Sequence, residues 1–254
     1  LLGGAMLLLR FWPQISEIPL ALQTLHCLGR LVMYIVPCVT ILLPIRFLTK
    51  VPSFVFRKLL HIVAFSCFTV MLLAAESWQA VAITSVLIAA LLYPLLTMLE
   101  VYGWYGRLFV EKEPGEIKKS LLMLFFMFAV VIAISWGVFA KPYVAAAAIL
   151  MWGVGDAAAA LVGIYRGRHV VSWRCCDGKK TWEGTFAMFF TALACGVVAL
   201  GLLTTAPVGS LLAVTIPTAA GAALTELVSR NGNDTITVPL VTTILLSVLA
   251  WLAM

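Results

Sequence analysis

The chain has 254 residues, of which 63% are apolar and 11% charged, where an ordinary soluble domain carries roughly 45–50% and about 25%. That balance excludes a water-soluble fold: about 160 apolar residues overfill a single soluble core but match roughly eight bilayer-crossing helices of about 20 residues each. The formal net charge is +6, yet the basic residues sit in short loops between apolar runs, which excludes an extended nucleic-acid-binding surface.

The first apolar stretch, Leu1 to Trp12, is too short to span and reads as a truncated helix. Since the chain opens on Leu1 rather than Met, the true N-terminus is expected to be missing. Residues 1–26 are therefore assigned to an N-terminal segment and 27–254 to a membrane-embedded catalytic domain. Spans are predicted over Cys27 to Leu48, Leu59 to Ala75, Trp78 to Leu99, Leu121 to Ala140, Tyr143 to Tyr165, Gly184 to Leu203, Val208 to Val228 and Val238 to Met254. None alternates with period two, and backbone groups in lipid must be satisfied internally, so the predicted class is an all-α polytopic bundle of about eight spans. Pro37, Pro94, Gly153, Gly155 and Pro217 lie inside spans and mark kinks, breaks or close helix packing. Cys27, Cys38, Cys67 and Cys195 sit in apolar runs as small hydrophobes. Cys175 and Cys176 are adjacent, which suits neither a zinc site nor an ordinary disulfide.

Charge is sorted by loop. Arg46, Lys50, Arg57 and Lys58 fill the first connection, and Arg107, Lys112, Lys118 and Lys119 the third. Arg166, Arg168, Arg174, Lys179 and Lys180 fill the fifth and Arg230 the last, so one face holds 14 of the 17 basic residues. The positive-inside rule places that face in the cytoplasm. The Gly-rich and acidic segments fall on the same face, so the active site is expected there.

Four clusters carry chemistry. In Arg57-Lys58-Leu59-Leu60-His61, Arg57 and His61 share a helix face, either as a basic collar at a helix end or as a phosphate clamp. Asp156, within Trp152-Gly153-Val154-Gly155-Asp156, lies ten residues before Arg166, about 15 Å below the helix end on a straight helix. A bare carboxylate at that depth costs several kcal/mol, about 2.5–3.5 on mild scales, so it needs a partner and is a functional candidate. Gly153 and Gly155 would permit a break in the helix there. The run Gly153-x-Gly155-x-x-Ala158 imitates a dinucleotide fingerprint, but no strand precedes it.

Third, Asp177-Gly178-Lys179-Lys180-Thr181-Trp182-Glu183-Gly184 packs two lysines, a hydroxyl and an acid at a span's start, where free N–H groups favour anions. It is not a Walker loop, because Trp173 stands where the first glycine is required. Fourth, Glu226 and Asp234 flank a polar turn and are either a capped turn or ligands for Mg²⁺, which takes one or two carboxylates plus phosphate oxygens. Together the four clusters supply the acids, lysines, arginines and glycines of Mg²⁺-nucleotide phosphoryl transfer.

These residues resemble a family. Arg57-Lys58-x-x-His61, Gly155-Asp156 with Gly163 and Gly167-Arg168, Lys179-Lys180-Thr181-Trp182-Glu183-Gly184, and Asp234 to Pro239 look like the CTP-dependent lipid kinases. That group includes dolichol, phytol and farnesol kinases and CTP-using diacylglycerol kinases, and it shares part of its pattern with phosphatidate cytidylyltransferases. The kinase branch fits better, because from Thr205 onward the chain has one basic residue, Arg230, and no histidine. Thr235 departs from the kinase pattern, which has asparagine after the closing aspartate. The stretch Glu111 to Lys119 resembles a looser element of the family.

The resemblance implies transfer of the CTP γ-phosphoryl group to the hydroxyl of a lipid alcohol, a prenol or a diacylglycerol, with Mg²⁺ as cofactor. Asp156 would be the central acid, holding Mg²⁺ or orienting the hydroxyl, with Glu183, Glu226 and Asp234 as further metal or nucleotide contacts. Arg57, Lys58, Lys179 and Lys180 would bind phosphates, with Arg168 and Thr181 beside them, and Lys180 would act in catalysis. His61 would accept a proton or contact a phosphate, and Gly155 and Gly163 would admit the nucleotide against backbone. The partners implied are CTP, the lipid alcohol and the bilayer, and no nucleic acid. The oligomeric state stays open. A proton-coupled transporter also shows acids at mid-depth, and a cytidylyltransferase would make a CDP-lipid instead.

Overall fold

A computed structural model describes residues 18–49, 51–102, 115–173, 176, 178, 180–230 and 232–254. Within them the chain forms eight α-helices: α1 Leu20–Leu48, α2 Ser53–Leu73, α3 Trp78–Leu99, α4 Glu116–Ile132, α5 Pro142–Arg166, α6 Trp182–Leu203, α7 Val208–Val228 and α8 Asp234–Ala253. All are long and apolar enough to cross a membrane, α4 together with a π-helical extension over Ala133–Val138. The class is all-α; the one strand-like contact among the described residues is an isolated bridge between Val170 and Thr181. The Leu1 to Trp12 stretch lies outside the described residues.

Helix ends depart from the apolar runs in one direction. Helix α1 starts at Leu20, inside the assigned N-terminal segment, α2 at Ser53 and α8 at Asp234. Hydropathy stops where charge begins, but a helix end near the bilayer surface carries charged residues without unwinding. Arg57, Lys58 and Asp234 are thus helical residues. A second departure concerns α5, which runs unbroken through Gly153 and Gly155. A Cβ on Gly153 would overlap the Phe65 ring, and one on Gly155 would touch Met188 and Ala192 at 3.5 Å. The glycines give neighbouring side chains room rather than bending the helix.

Helix α5 is the hub, packing most extensively on α6 and then on α2 and α8. Its alanines, Ala145 to Ala148 with Ala157 and Ala159, are buried. Lipid tails are as apolar as leucine, so helices associate here through close van der Waals packing, which small residues permit. The same logic sets α6, where a Cβ on Gly196 would lie 2.8 Å from Met151 Sδ. Leu25, Ile41, Leu91, Met98, Phe190 and Trp251 face outward, as a lipid-facing surface requires.

Antiparallel α2 and α5 hold a fixed register. Phe54 meets Tyr165 near one end (centroids 5.6 Å apart), and deeper in, Phe65 packs edge-on against Trp152 at 4.7 Å. Phe65, Trp152, Phe128 and Phe68 form one buried aromatic cluster. The polar side chains of interest lie between these two contacts.

Candidate active site

Lys58 Nζ donates to Asp156 Oδ2 at 2.6 Å. Asp156 lies nine residues before Tyr165, so about 13 Å below the Phe54–Tyr165 contact at 1.5 Å rise per residue. Lys58, one turn into α2 from Phe54, spans the remaining height with its long side chain. The carboxylate that the sequence left needing a partner is thereby neutralised from the neighbouring helix. His61, one turn after Arg57 on the same helix, lies within electrostatic reach of Lys58 and Asp156. Arg57 Nη1 pairs with Glu116 Oε1 at 3.4 Å and remains 41% exposed.

The second ammonium is Lys180, just ahead of α6. It pairs with Glu226 near the end of α7, and with Asp234 Oδ2 of α8 at 3.4 Å. Burial opposes its charge, but Glu226, Asp234 and, farther off, Asp156 hold its pKa above the ordinary lysine value. Asp234 Oδ1 also accepts from Thr235 N–H at 2.9 Å. Lys180 is thus paired with two acids from two helices and lies within electrostatic reach of a third. Counted with Lys58, three carboxylates face two ammonium groups.

The segment holding Lys180 is clasped at its base. Val171 N–H donates to Lys180 C=O at 2.9 Å, and Trp182 N–H to His169 C=O at 3.0 Å. The His169 ring closes the clasp, its Nδ1 lying 2.6 Å from Glu183 Oε1. Val171, Cys176 and Leu227 pack beneath with Trp182, and Arg230 Nη2 donates to Cys176 C=O at 3.2 Å. The clasp therefore rests on the α7–α8 connection that carries Glu226 and Asp234.

Each residue of the Lys-Thr-Trp-Glu-Gly run acquires a separate task. Thr181 is the N-cap of α6: its hydroxyl accepts from Gly184 N–H at 3.2 Å, satisfying a helix-end donor. Gly184 is required because a Cβ there would lie 2.9 Å from Ala159 C=O. Gly163 faces Thr181 Oγ1 and Gly184 Cα, and Gly155 faces Met188 and Ala192. Gly155 and Gly163, expected from sequence as nucleotide contacts, lie in the α5–α6 packing, and Thr181, expected likewise, caps α6. Glu183, read as a metal contact, is turned to His169. Arg168 is exposed on the turn after α5. Lys179 lies outside the described residues, as do Glu111 to Pro114 of the looser family element.

The structure brings together Lys58, His61, Asp156, Lys180, Glu226 and Asp234 at one end of the bundle. Among the described residues no group of three or more His, Cys, Asp or Glu side chains is arranged to hold a metal ion by itself. Two partners were missed in sequence. Glu116 stood out only as part of the looser family element, not as the partner of Arg57, and His169 stands 14 positions from Glu183, on a different element.

No protein-family model matches the chain, and no solved structure matches it. A curated protein does: the phytol kinase of Synechocystis sp. (strain ATCC 27184 / PCC 6803 / Kazusa) is 33% identical over 197 residues, covering 74% of this chain and 76% of that protein. With identity at that level over most of both chains, this protein belongs to the phytol kinase family, a family of lipid kinases.

Proposed function

We propose that the protein transfers the γ-phosphoryl group of CTP to the hydroxyl of a membrane-dissolved prenol, leaving CDP. One observation carries this reading: Asp156, Glu226 and Asp234 converge on Lys180 and Lys58 at one end of the bundle. The kinship with a phytol kinase favours a prenol as acceptor. The positive-inside rule puts this end in the cytoplasm, where nucleotide is present.

The acids present fit Mg²⁺ carried in with the nucleotide better than a free ion. Mg²⁺ keeps octahedral coordination with one or two carboxylates and takes the rest from phosphate oxygens and water. Asp156 and Asp234 are the partly exposed acids, whereas Glu226 is nearly buried against Lys180. Asp156 and Asp234 would therefore hold the ion, and Glu226 would fix Lys180. When bound, Mg²⁺ supplies neutralisation of phosphate charge.

The chain's own groups supply the rest. Lys58 and Lys180 are already positioned, so the incoming triphosphate meets cations whose ordering cost was met in folding. Lys58 and Lys180 would share their charge between carboxylate and phosphate oxygens, leaving Asp156 and Asp234 able to hold the ion. Arg57, the most exposed of these cations, would meet the triphosphate first. The depth of Asp156 brings the reaction to where a prenol hydroxyl can reach from the membrane.

The test is an assay of purified protein with Mg²⁺ and CTP, ATP, GTP or UTP against phytol, farnesol, dolichol and diacylglycerol. CTP-dependent phosphorylation of a prenol with release of CDP is expected. Transfer of the cytidylyl group instead, read as pyrophosphate release with the α-phosphorus on the lipid, or no phosphorylation of any alcohol, would overturn the proposal.

A further inference from the structure

The salt bridges of the site do not include His61. Its Nδ1 is sealed from solvent and has no hydrogen-bond partner among the described residues. Buried polar atoms in folded proteins are normally paired, so an orphan beside a reactive cluster calls for a ligand. The carboxylates nearby each face an ammonium group: Asp156 faces Lys58, and Glu226 and Asp234 face Lys180.

The surroundings favour a particular kind of ligand. Arg57 and Lys58 from its own helix and Asp156 from α5 are the charged groups facing the ring. A triphosphate already has lysines and an arginine to meet it and gains little from one more polar atom. A neutral hydroxyl needs an acceptor, and beside two cations an uncharged imidazole is suited to accept. Beneath it the ring meets Phe65 edge-on at 5.8 Å, and Phe65 belongs to the buried cluster with Trp152 and Phe128. The side chains of this floor are aromatic, and their one polar atom is the Trp152 indole nitrogen, whose N–H donates and cannot take a proton from a hydroxyl.

We propose that His61 is a catalytic residue that seats the hydroxyl of the acceptor lipid through Nδ1 and takes its proton. The inference rests on the kinase reading. In the step, the lipid oxygen forms its bond to the γ-phosphorus as the bond from that phosphorus to the β-γ bridging oxygen breaks. The electron pair of the broken bond leaves with CDP. The hydroxyl proton passes to Nδ1 and is handed on to a phosphate oxygen of the departing products, so the imidazole is regenerated.

Nitrogen-specific variants test this. Asn at position 61 puts an amide near Nδ1, Gln puts one near Nε2, and Phe keeps a ring with neither. In H61N the lipid KM is expected to stay within about threefold of wild type while kcat falls about 100-fold or more, since an amide accepts a hydrogen bond but not the proton. H61Q and H61F are expected to lose kcat and also to raise the lipid KM about tenfold, while Mg²⁺-CTP still raises the melting temperature of all three. That nucleotide-induced shift also shows which variants are folded, and H61N alone suffices if H61F does not fold. Turnover of H61N within threefold of wild type would overturn the proposal, as would loss of the nucleotide-induced shift with lipid KM unchanged, which marks a phosphate contact. A wild-type protein that phosphorylates no alcohol would instead sink the kinase reading itself.

Discussion

Lys58 and Asp156 stand 98 residues apart in sequence and 2.6 Å apart in space, joining the start of α2 to the middle of α5. Their side chains are 16% and 25% exposed, so each charge depends on the other for much of its solvation. Removing one partner strands the other in a poorly solvated site, whereas removing both leaves no unpaired charge.

Asp156→Asn is therefore expected to lower the melting temperature and to abolish CTP-dependent lipid phosphorylation. Lys58→Met should destabilise similarly. The double variant should recover stability but not activity, with a coupling of about 1–3 kcal/mol in a double-mutant cycle of unfolding. Additive losses of stability would show that the two side chains do not depend on each other.

Lys180 predicts a pH dependence. Its native pKa is raised above the ordinary lysine value because Glu226, Asp234 and Asp156 outweigh burial, which opposes its charge. A raised pKa means that the stabilisation is fully present below the unfolded value, about 10.4, and is lost as pH rises through the higher native value. Melting curves of wild type and Lys180→Met should differ by a constant amount from pH 7 to about pH 10 and converge above that. A difference that grows with pH over that range would contradict the pairing. At neutral pH the same variant should raise the apparent KM for CTP.

The His169–Glu183 contact closes the segment that positions Lys180. It is exposed, so His169→Ala should leave the melting temperature nearly unchanged. The expected effect is a several-fold rise in the CTP KM with the lipid KM unaltered, measured by varying each substrate at saturating levels of the other. Equal effects on both substrates would argue that the clasp does not act through the lysine.

Two glycines separated by one residue should respond in opposite ways. Gly153→Ala would place a methyl against the buried Phe65 ring, an overpacking that costs about 1–3 kcal/mol and is expected to lower the melting temperature. Gly155→Ala meets Met188 and Ala192 at ordinary contact distance, and activity should persist. Loss of nucleotide binding in a stable Gly155→Ala protein would restore that glycine to the nucleotide site.

The architecture was legible because composition and loop charge report directly on the bilayer. Eight runs and their alternation identify eight helices, and helix starts were misplaced where charged residues such as Arg57, Lys58 and Asp234 continue a helix past its apolar part, and at α1, which begins seven residues earlier than its predicted Cys27 start. The site was legible as a set of residues but not as a set of pairs. Nothing in the spacing of Lys180, Glu226 and Asp234 announces that one ammonium serves two acids 46 and 54 residues away. Glycines were the least readable: Gly155, Gly163 and Gly184 look alike in sequence whether they make room for a ligand or for a helix, and only the neighbours distinguish the two.

The most direct measurement follows the phosphorus atoms. Purified protein in bilayer nanodiscs is given a prenol, Mg²⁺ and CTP labelled either at the γ- or at the α-phosphorus, with Asp156→Asn in parallel. Transfer of γ-label alone to the lipid, with CDP as coproduct and no transfer by the variant, is the expected result. Transfer of α-label to the lipid, or undiminished γ-transfer by Asp156→Asn, would contradict it.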